Sequence, residues 1–288
     1  MYIGFDIGGS SIKAALVSES KIIGTRYERL PKSFNDLAGT IIAIKNDLTV
    51  RDKSIVIEGI GFSIAGALDK KREKVLVSYN IPYLNNKNFL AIFREKFHSH
   101  RVRIERDAYC FLIAESTVGK GKNYKDIYYL TLGTGIGGAY MLDRKLVTGY
   151  HGSAGEVGHT LVDFAQGTHW ENIAANKFIQ KELGIHFSEA KQKALAGNNK
   201  AVQLFNILGK NIGLGIANIV NSFDPEVVII SGGLAAARNL MLPKIKKAMR
   251  ENIISEDAKK TKILWSKLGR FGGALGAALL VANHQVKK

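Results

Sequence analysis

Cysteine occurs once in this chain, at Cys110, which excludes an intramolecular disulfide and any multi-cysteine zinc cluster within one copy. A lone thiol fits a reducing compartment. Proline is scarce too, at 4 residues in 288, so no proline-rich linker marks a domain boundary. Long apolar runs are missing: the most apolar late stretch, 271–282, is shorter than the ~20 residues a membrane helix needs. The chain opens Met1-Tyr2-Ile3-Gly4-Phe5-Asp6, with an acid where a signal peptide carries basic and then apolar residues. Together these absences predict a soluble, cytoplasmic protein with no membrane partner.

Hydrophobic residues make up 46% of the 288-residue chain and charged residues 23%. That is enough to close a substantial core, in one large or two modest domains, and it excludes a disordered chain or a disulfide-dependent miniprotein. Lys and Arg number 41 against 25 Asp and Glu, a net charge of +16. Such a charge attracts polyanions, yet the basic residues are scattered from Lys13 to Lys288 without an unbroken block. A generally basic surface therefore explains them as well as a nucleic-acid footprint does, and net charge alone defines no site.

Glycine is frequent, at 30 residues, and it punctuates a pattern. Tyr2 to Ile7 reads as a strand, Gly8-Gly9-Ser10-Ser11 as a turn, and Ile12 to Val17 as the returning strand, followed by Lys21-Ile22-Ile23. Helical spacing marks Leu37 to Leu48 and Phe89 to Phe97, and strands are predicted at Val56 to Ile64 and Val102 to Ile104. The opening pattern then returns, gapless, at a shift of 125: Gly8 falls on Gly133, Ala14 on Ala139 and Gly24 on Gly149. Such a repeat argues for two structurally related α/β halves with a cleft between them. Helices follow at Asn206 to Phe223 and Leu240 to Asn252, strands at Val227 to Ser231 and Lys262 to Trp265, and a last helix from about Gly273 to His284.

Several segments can carry chemistry, each with a plainer reading beside it. Asp6-Ile7-Gly8-Gly9-Ser10 sets a carboxylate at a strand end before a turn whose amides can approach phosphate oxygens, and the acid can hold Mg²⁺ through water. An ordinary hairpin needs the same glycines. Leu132 to Gly138 holds four glycines and a hydroxyl; it lacks the ending of a Walker loop, and a strand follows it where a dinucleotide fingerprint requires a helix. Ile230-Ser231-Gly232-Gly233-Leu234 ends a strand where α/β sheets bind ligands, or is simply a strand-to-helix turn. Asp107 occupies an N-cap-like position; it is either a cap or the base that takes a proton from an attacking hydroxyl. Gly155-Glu156-Val157-Gly158-His159 places an acid and an imidazole three residues apart between glycines, which suits a polyhydroxylated ligand.

In this order the motifs resemble those of the ROK family (repressors, uncharacterised frames and kinases), and the likeness spans nearly the whole chain through Gly272-Gly273-Ala274-Leu275-Gly276-Ala277-Ala278. The resemblance implies an α/β, two-domain, duplicated ribonuclease-H-like (actin-like ATPase) fold with an interdomain active-site cleft. It places one domain at 1–117, a larger one at 118–271, and a C-terminal helix, about 272–285, packing back onto the first. It further implies an ATP- and Mg²⁺-dependent kinase acting on a hexose or N-acetylhexosamine, commonly a homodimer. On that pattern Asp107 is the catalytic base, and Gly66, Asn80, Arg106, Glu156, His159 and Glu171 face the sugar. Asp6, Gly8, Gly9, Ser10, Lys13, Thr134, Gly135, Gly232 and Gly233 would serve the nucleotide, with Asp6 as the Mg²⁺ group.

Two departures from the family pattern stand out. Arg106 replaces the usual Asn before the catalytic Asp, which could favour an anionic sugar, change the accepted sugar, or pair with Asp107 and lower its basicity. The stretch from His159 to Trp170 contains no cysteine, so the structural zinc of some members is not expected. A sugar-responsive DNA-binding regulator and a non-catalytic sugar-binding protein are the alternatives. The first is disfavoured by Asp6 standing too close to the start for a preceding DNA-binding domain, so nucleic acid is not an expected partner.

Overall fold

The computed structural model describes residues 1–50, 55–97 and 101–282. In chain order the elements begin with β1 (Tyr2–Ile7), β2 (Ser11–Ser18), β3 (Lys21–Arg29), α1 (Phe34–Thr49), β4 (Gly59–Ile64), β5 (Ala67–Leu68) and β6 (Val75–Val77). Next come α2 (Phe89–Lys96), β7 (Arg101–Arg106), α3 (Asp107–Thr117), β8 (Ile127–Leu132), β9 (Ile136–Leu142), β10 (Lys145–Val147), β11 (Leu161–Asp163) and β12 (Thr168–His169). The remainder is largely helical: α4 (Trp170–Ala174), α5 (Asn176–Leu183), α6 (Phe187–Leu195), α7 (Asn199–Phe223), β13 (Val227–Ser231), α8 (Arg238–Asn252), β14 (Lys262–Trp265) and α9 (Gly272–Ala282). The chain divides into two compact units, one of Met1–Asn123, Lys145–Ala154 and the segment from Lys267 onward, the other of Tyr124–Arg144 and Gly155–Ser266.

Each unit is built on the same sheet. The first orders its strands β3-β2-β1-β4-β7, and the strands of the second run in the matching order β9-β8-β13-β14. In both, the leading strand is antiparallel to the next and parallel to the strand that follows a helical connection. The predicted duplication is therefore real, and β8 begins 125 residues after β1. The two hairpins are not identical, however. Ile7 pairs with Ile12 across four turn residues, whereas Leu132 pairs with Ile136 across three. The gapless alignment locates the second hairpin's strands but misses this one-residue change in pairing, which alters which residues stand opposite one another.

Strand periodicity assigns the two faces of the first sheet. Ile3, Phe5 and Ile7 of β1 and Ile60, Phe62 and Ile64 of β4 enter a core shared with α1 and α2, where Phe62 lies 5.1 Å from Phe89 and 4.8 Å from Phe93, ring centre to ring centre. The alternate positions, Gly4 and Gly61, turn to the opposite face and meet α9. A Cβ on Gly4 would lie 1.8 Å from the Ala274 carbonyl oxygen, and one on Gly61 would lie 1.8 Å from that of Ala277. This strip of missing side chains lets α9 lie directly on the strands, which explains why that helix is apolar all round and buried from Gly272 to Val281.

Some predicted elements need correction. Val56 to Glu58 precede β4 without joining it, and α7 starts seven residues earlier than its apolar spacing indicated. There the Asn198 side chain accepts the Ala201 amide hydrogen at 3.1 Å, a cap that fixes the true start. The predicted end of the last helix, His284, lies outside the described residues. No helix among the described residues is long and apolar enough to cross a membrane.

Candidate functional site

In the first unit, Asp6 is held by its neighbours on both flanking strands. Lys13 on β2 and Ser63 on β4 are its cross-strand partners, and each reaches its carboxylate: Lys13 Nζ at 3.2 Å from Oδ2, and Ser63 Oγ donating to Oδ1 at 2.7 Å. Asp6 is only 5% exposed, and α9 closes over it through Gly273, where a Cβ would come within 2.7 Å of the Asp6 carboxyl carbon. Beyond Asp6 the chain turns through Gly8, whose amide donates to the Ser11 carbonyl at 3.0 Å, while Gly9 and Ser10 are exposed. Gly9 packs on Asn80: a Cβ there would stand 2.6 Å from the Asn80 Cβ. Gly66 sits nearby in the loop after β4, too close to the Val77 carbonyl for any side chain, and the preceding Ala65 amide donates to the Ile7 carbonyl.

Arg106 and Asp107 lie at the junction of β7 and α3. Asp107 is the first residue of α3, not its cap, because Arg106 holds the extended cap conformation and makes no side-chain cap bond. The Asp107 carboxylate instead accepts the amide hydrogen of Ala108 at 2.8 Å and is half-buried. The Arg106 guanidinium lies over the Tyr109 ring, 4.7 Å from its centre, and donates to the Ala154 carbonyl at 3.0 Å. Glu105 beside it is buried and receives Arg72 Nε at 2.9 Å and the Arg106 amide at 2.8 Å. Burial pushes the Glu105 carboxyl above its ordinary range, against the opposing pull of Arg72 and the Arg106 amide.

The second unit carries the other motif residues. Its hairpin turn, Gly133-Thr134-Gly135, exposes Thr134 and packs Gly135 against Glu171, where a Cβ would lie 2.4 Å from Oε2. Glu171 accepts the Ile136 amide hydrogen at 3.3 Å and pairs with Lys177. Burial works to raise its carboxyl, but Lys177, the Ile136 amide and the charge of His159 together hold it below the usual range.

The loop Gly155-Glu156-Val157-Gly158-His159 is seated on β9 by its two glycines. A Cβ on Gly155 would meet the Gly138 carbonyl oxygen at 2.5 Å, and one on Gly158 the Ile136 carbonyl oxygen at 2.2 Å. That close seating leaves Glu156 and His159 exposed, with the His159 ring 5.7 Å from that of His169. At the end of β13, Gly232 takes φ +91° and packs on the Leu132 backbone, so it joins this turn to the first. Gly233 approaches Asn176, whose own amide donates to the Gly133 carbonyl at 2.9 Å and whose Oδ1 is buried without a partner.

No sequence motif marks Ser63, Arg72, Glu105, Tyr109, Asn176 or Lys177. Ser63 is linked to Asp6 only by strand register, Arg72 ends a Lys70-Lys71-Arg72 run that reads as a solvated face, and Tyr109 reads as core. Only the spacing of Tyr109, three residues after Arg106 and hence on the adjoining helical turn, was a usable signal.

The model of the ROK family matches residues 2–284. An N-acetyl-D-glucosamine kinase of Aliivibrio salmonicida is 28% identical over 97% of this chain and 99% of its own. A xylose repressor of Bacillus subtilis is 26% identical over 98% of this chain and 77% of its own. Among solved structures, a ROK family glucokinase from Streptomyces griseus, in complex with glucose and AMPPNP, shares the fold at a TM-score of 0.83 and 27% identity, covering 98% of this chain and 99% of its own. The two-unit α/β architecture is thus that of the ROK sugar kinases, the actin-like ATPase fold.

Proposed function

Because the chain belongs to the ROK family, we propose that it is an ATP-dependent sugar kinase, phosphorylating a hydroxyl of a hexose or N-acetylhexosamine. The observation that carries this reading is the likeness over 98% of the chain to a glucokinase bound to glucose and AMPPNP. In this reading Asp107 accepts the proton of the attacking hydroxyl. Its place supports that role: it follows the C-terminal end of a parallel strand, where α/β sheets bind ligands, and its carboxylate is half-buried. Glu156 and His159 hydrogen-bond sugar hydroxyls from their glycine-seated loop, and Gly66, Asn80 and Arg106 shape the sugar's surroundings. A carboxylate offers about four lone-pair sites, so Glu171 can accept from a sugar hydroxyl while it holds Ile136 and Lys177.

The nucleotide is assigned to the glycine turns. The exposed Gly9, Ser10 and Thr134, with Gly8 and Gly135, present small or hydroxyl-bearing turns suited to phosphate oxygens. Lys13 supplies positive charge, and Asp6 would hold Mg²⁺ through water, where the bound ion would neutralise phosphate charge. A cytoplasmic homodimer with no nucleic-acid or membrane partner and no zinc completes the proposal.

The test is an ADP-release screen with Mg²⁺ across glucose, mannose, fructose, N-acetylglucosamine, N-acetylmannosamine, allose and acidic sugars. Turnover with at least one hexose or N-acetylhexosamine is expected. Sugar-induced thermal stabilisation without turnover on any of them would replace the kinase by a sugar-binding protein. The xylose repressor's similarity favours one rival, a sugar-responsive regulator. Salt-sensitive, sequence-specific binding to duplex DNA would establish it.

A further inference from the structure

We infer that Arg106, Tyr109 and Arg72 form a clamp that positions the sugar-binding loop, and that Arg106 does not select an anionic sugar. The inference rests on the proposed sugar site at Glu156. Three buried or half-buried donors converge on two carbonyls just before that residue. Arg106 Nη1 donates to the Ala154 oxygen at 3.0 Å, the Tyr109 hydroxyl donates to the same oxygen at 2.6 Å, and Arg72 Nη2 donates to the Gly152 oxygen at 3.1 Å. Ala154 stands two residues before Glu156 in the chain.

The clamp has its own support. Arg72 is anchored by Glu105 at 2.9 Å and takes a positive φ of 58°, a conformation that non-glycine residues adopt only when their surroundings fix it. Gly152, at φ +80°, leaves the guanidinium room: a Cβ there would lie 2.3 Å from Arg72 Nη1. Both guanidinium groups face the Tyr109 ring, Arg106 at 4.7 Å and Arg72 at 5.8 Å from its centre. The loop is folded on itself as well, with the Gly152 amide donating to Gly149 and the Ala154 amide to Thr148. A guanidinium suits this place because its positive charge lies over the ring while its N–H reaches the Ala154 carbonyl, whereas an asparagine is uncharged and shorter. Arg106 is 5% exposed, and the direction of its donor is toward the loop.

Two measurements on Tyr109→Phe and Arg106→Asn decide the matter. The first is backbone hydrogen exchange across 148–160 in the sugar-free protein, which does not depend on catalysis. Exchange is expected to quicken roughly three- to tenfold in both variants, the effect of losing one net hydrogen bond; unchanged exchange in the folded Tyr109→Phe protein overturns the clamp. The second is steady-state kinetics with a neutral and an acidic sugar. For Tyr109→Phe the expected result is a similar rise in sugar KM for both sugars, again roughly three- to tenfold, with kcat and the KM for ATP little changed, while Arg106→Asn is read for its neutral-to-acidic preference, which is expected to stay within a few-fold of the wild type. A tenfold or greater change in the neutral-to-acidic preference in Arg106→Asn would show that Arg106 reads the substrate and would overturn the inference. A wild type without turnover on any sugar would defeat the kinase reading, while the exchange result would still judge the clamp.

Discussion

Cys110 shows how strongly surroundings set the chemistry of one side chain. It is fully buried in α3, and burial first, then the negative charges of Glu105, Asp6 and Asp107, push its thiol well above the ordinary range. The folded protein should therefore resist a thiol-specific reagent at neutral pH and bind one equivalent only after unfolding in guanidinium; rapid native labelling would contradict this burial. Glu171 illustrates the opposite shift. Its carboxyl is lowered in the folded state, so its stabilisation is present above the unfolded value, about 4.3, and is lost as pH falls through the folded one. Lys177→Met should lower the melting temperature at pH 7, and the gap to the wild type should shrink as pH falls below that value. A gap unchanged at pH 3 would mean that the Lys177 pairing is not its source. Asp6 could be singled out because it leads into the Gly8-Gly9 turn, and Asp107 because it stands between a predicted strand and a helix, whereas Glu171 was reached only through the family resemblance. Ser63 and Arg72 were not legible, because strand register and a folded loop, not neighbouring sequence, bring them to Asp6 and Glu105.

At the scale of elements, the glycine strip of β1 and β4 matters as much as any side chain. Helix α9 lies where Gly4 and Gly61 leave the strands bare, and it brings Gly273 against Asp6. Gly61→Ala would force a methyl group into the Ala277 carbonyl and should cost about 1–3 kcal/mol of stability or more, as overpacked cores do. Chemical denaturation measures this directly; a change of a few tenths of a kcal/mol would mean that α9 moves aside freely. The strands and long helices were legible from periodicity, since their apolar residues follow the 2- and 3.6-residue repeats. The short β5, β6, β11 and β12 and the helices α4 to α6 were not. They are only two to nine residues long, too short for a periodic apolar pattern to run over enough residues to stand out.

The whole molecule is a duplicated design in which each unit repeats one sheet order and spends its first hairpin turn differently. The first turn spans four residues and follows a buried acid paired with a lysine; the second spans three and packs against Glu171. The repeat was legible as a shift of 125, and the altered pairing was not, because an alignment without gaps cannot register a turn that tightens by one residue. The net charge of +16 gives the molecule a general attraction for anions such as ATP. Arg106, the cation beside the proposed base, is directed at its own loop. The central claim, sugar phosphorylation with Asp107 as base, is tested most directly by following the labelled γ-phosphoryl group of ATP onto sugar in the wild type and in folded Asp107→Asn. Labelled sugar phosphate from the wild type and at least about 100-fold less from the variant are predicted. A wild type that labels no hexose or N-acetylhexosamine, or a variant that transfers at full rate, would contradict it.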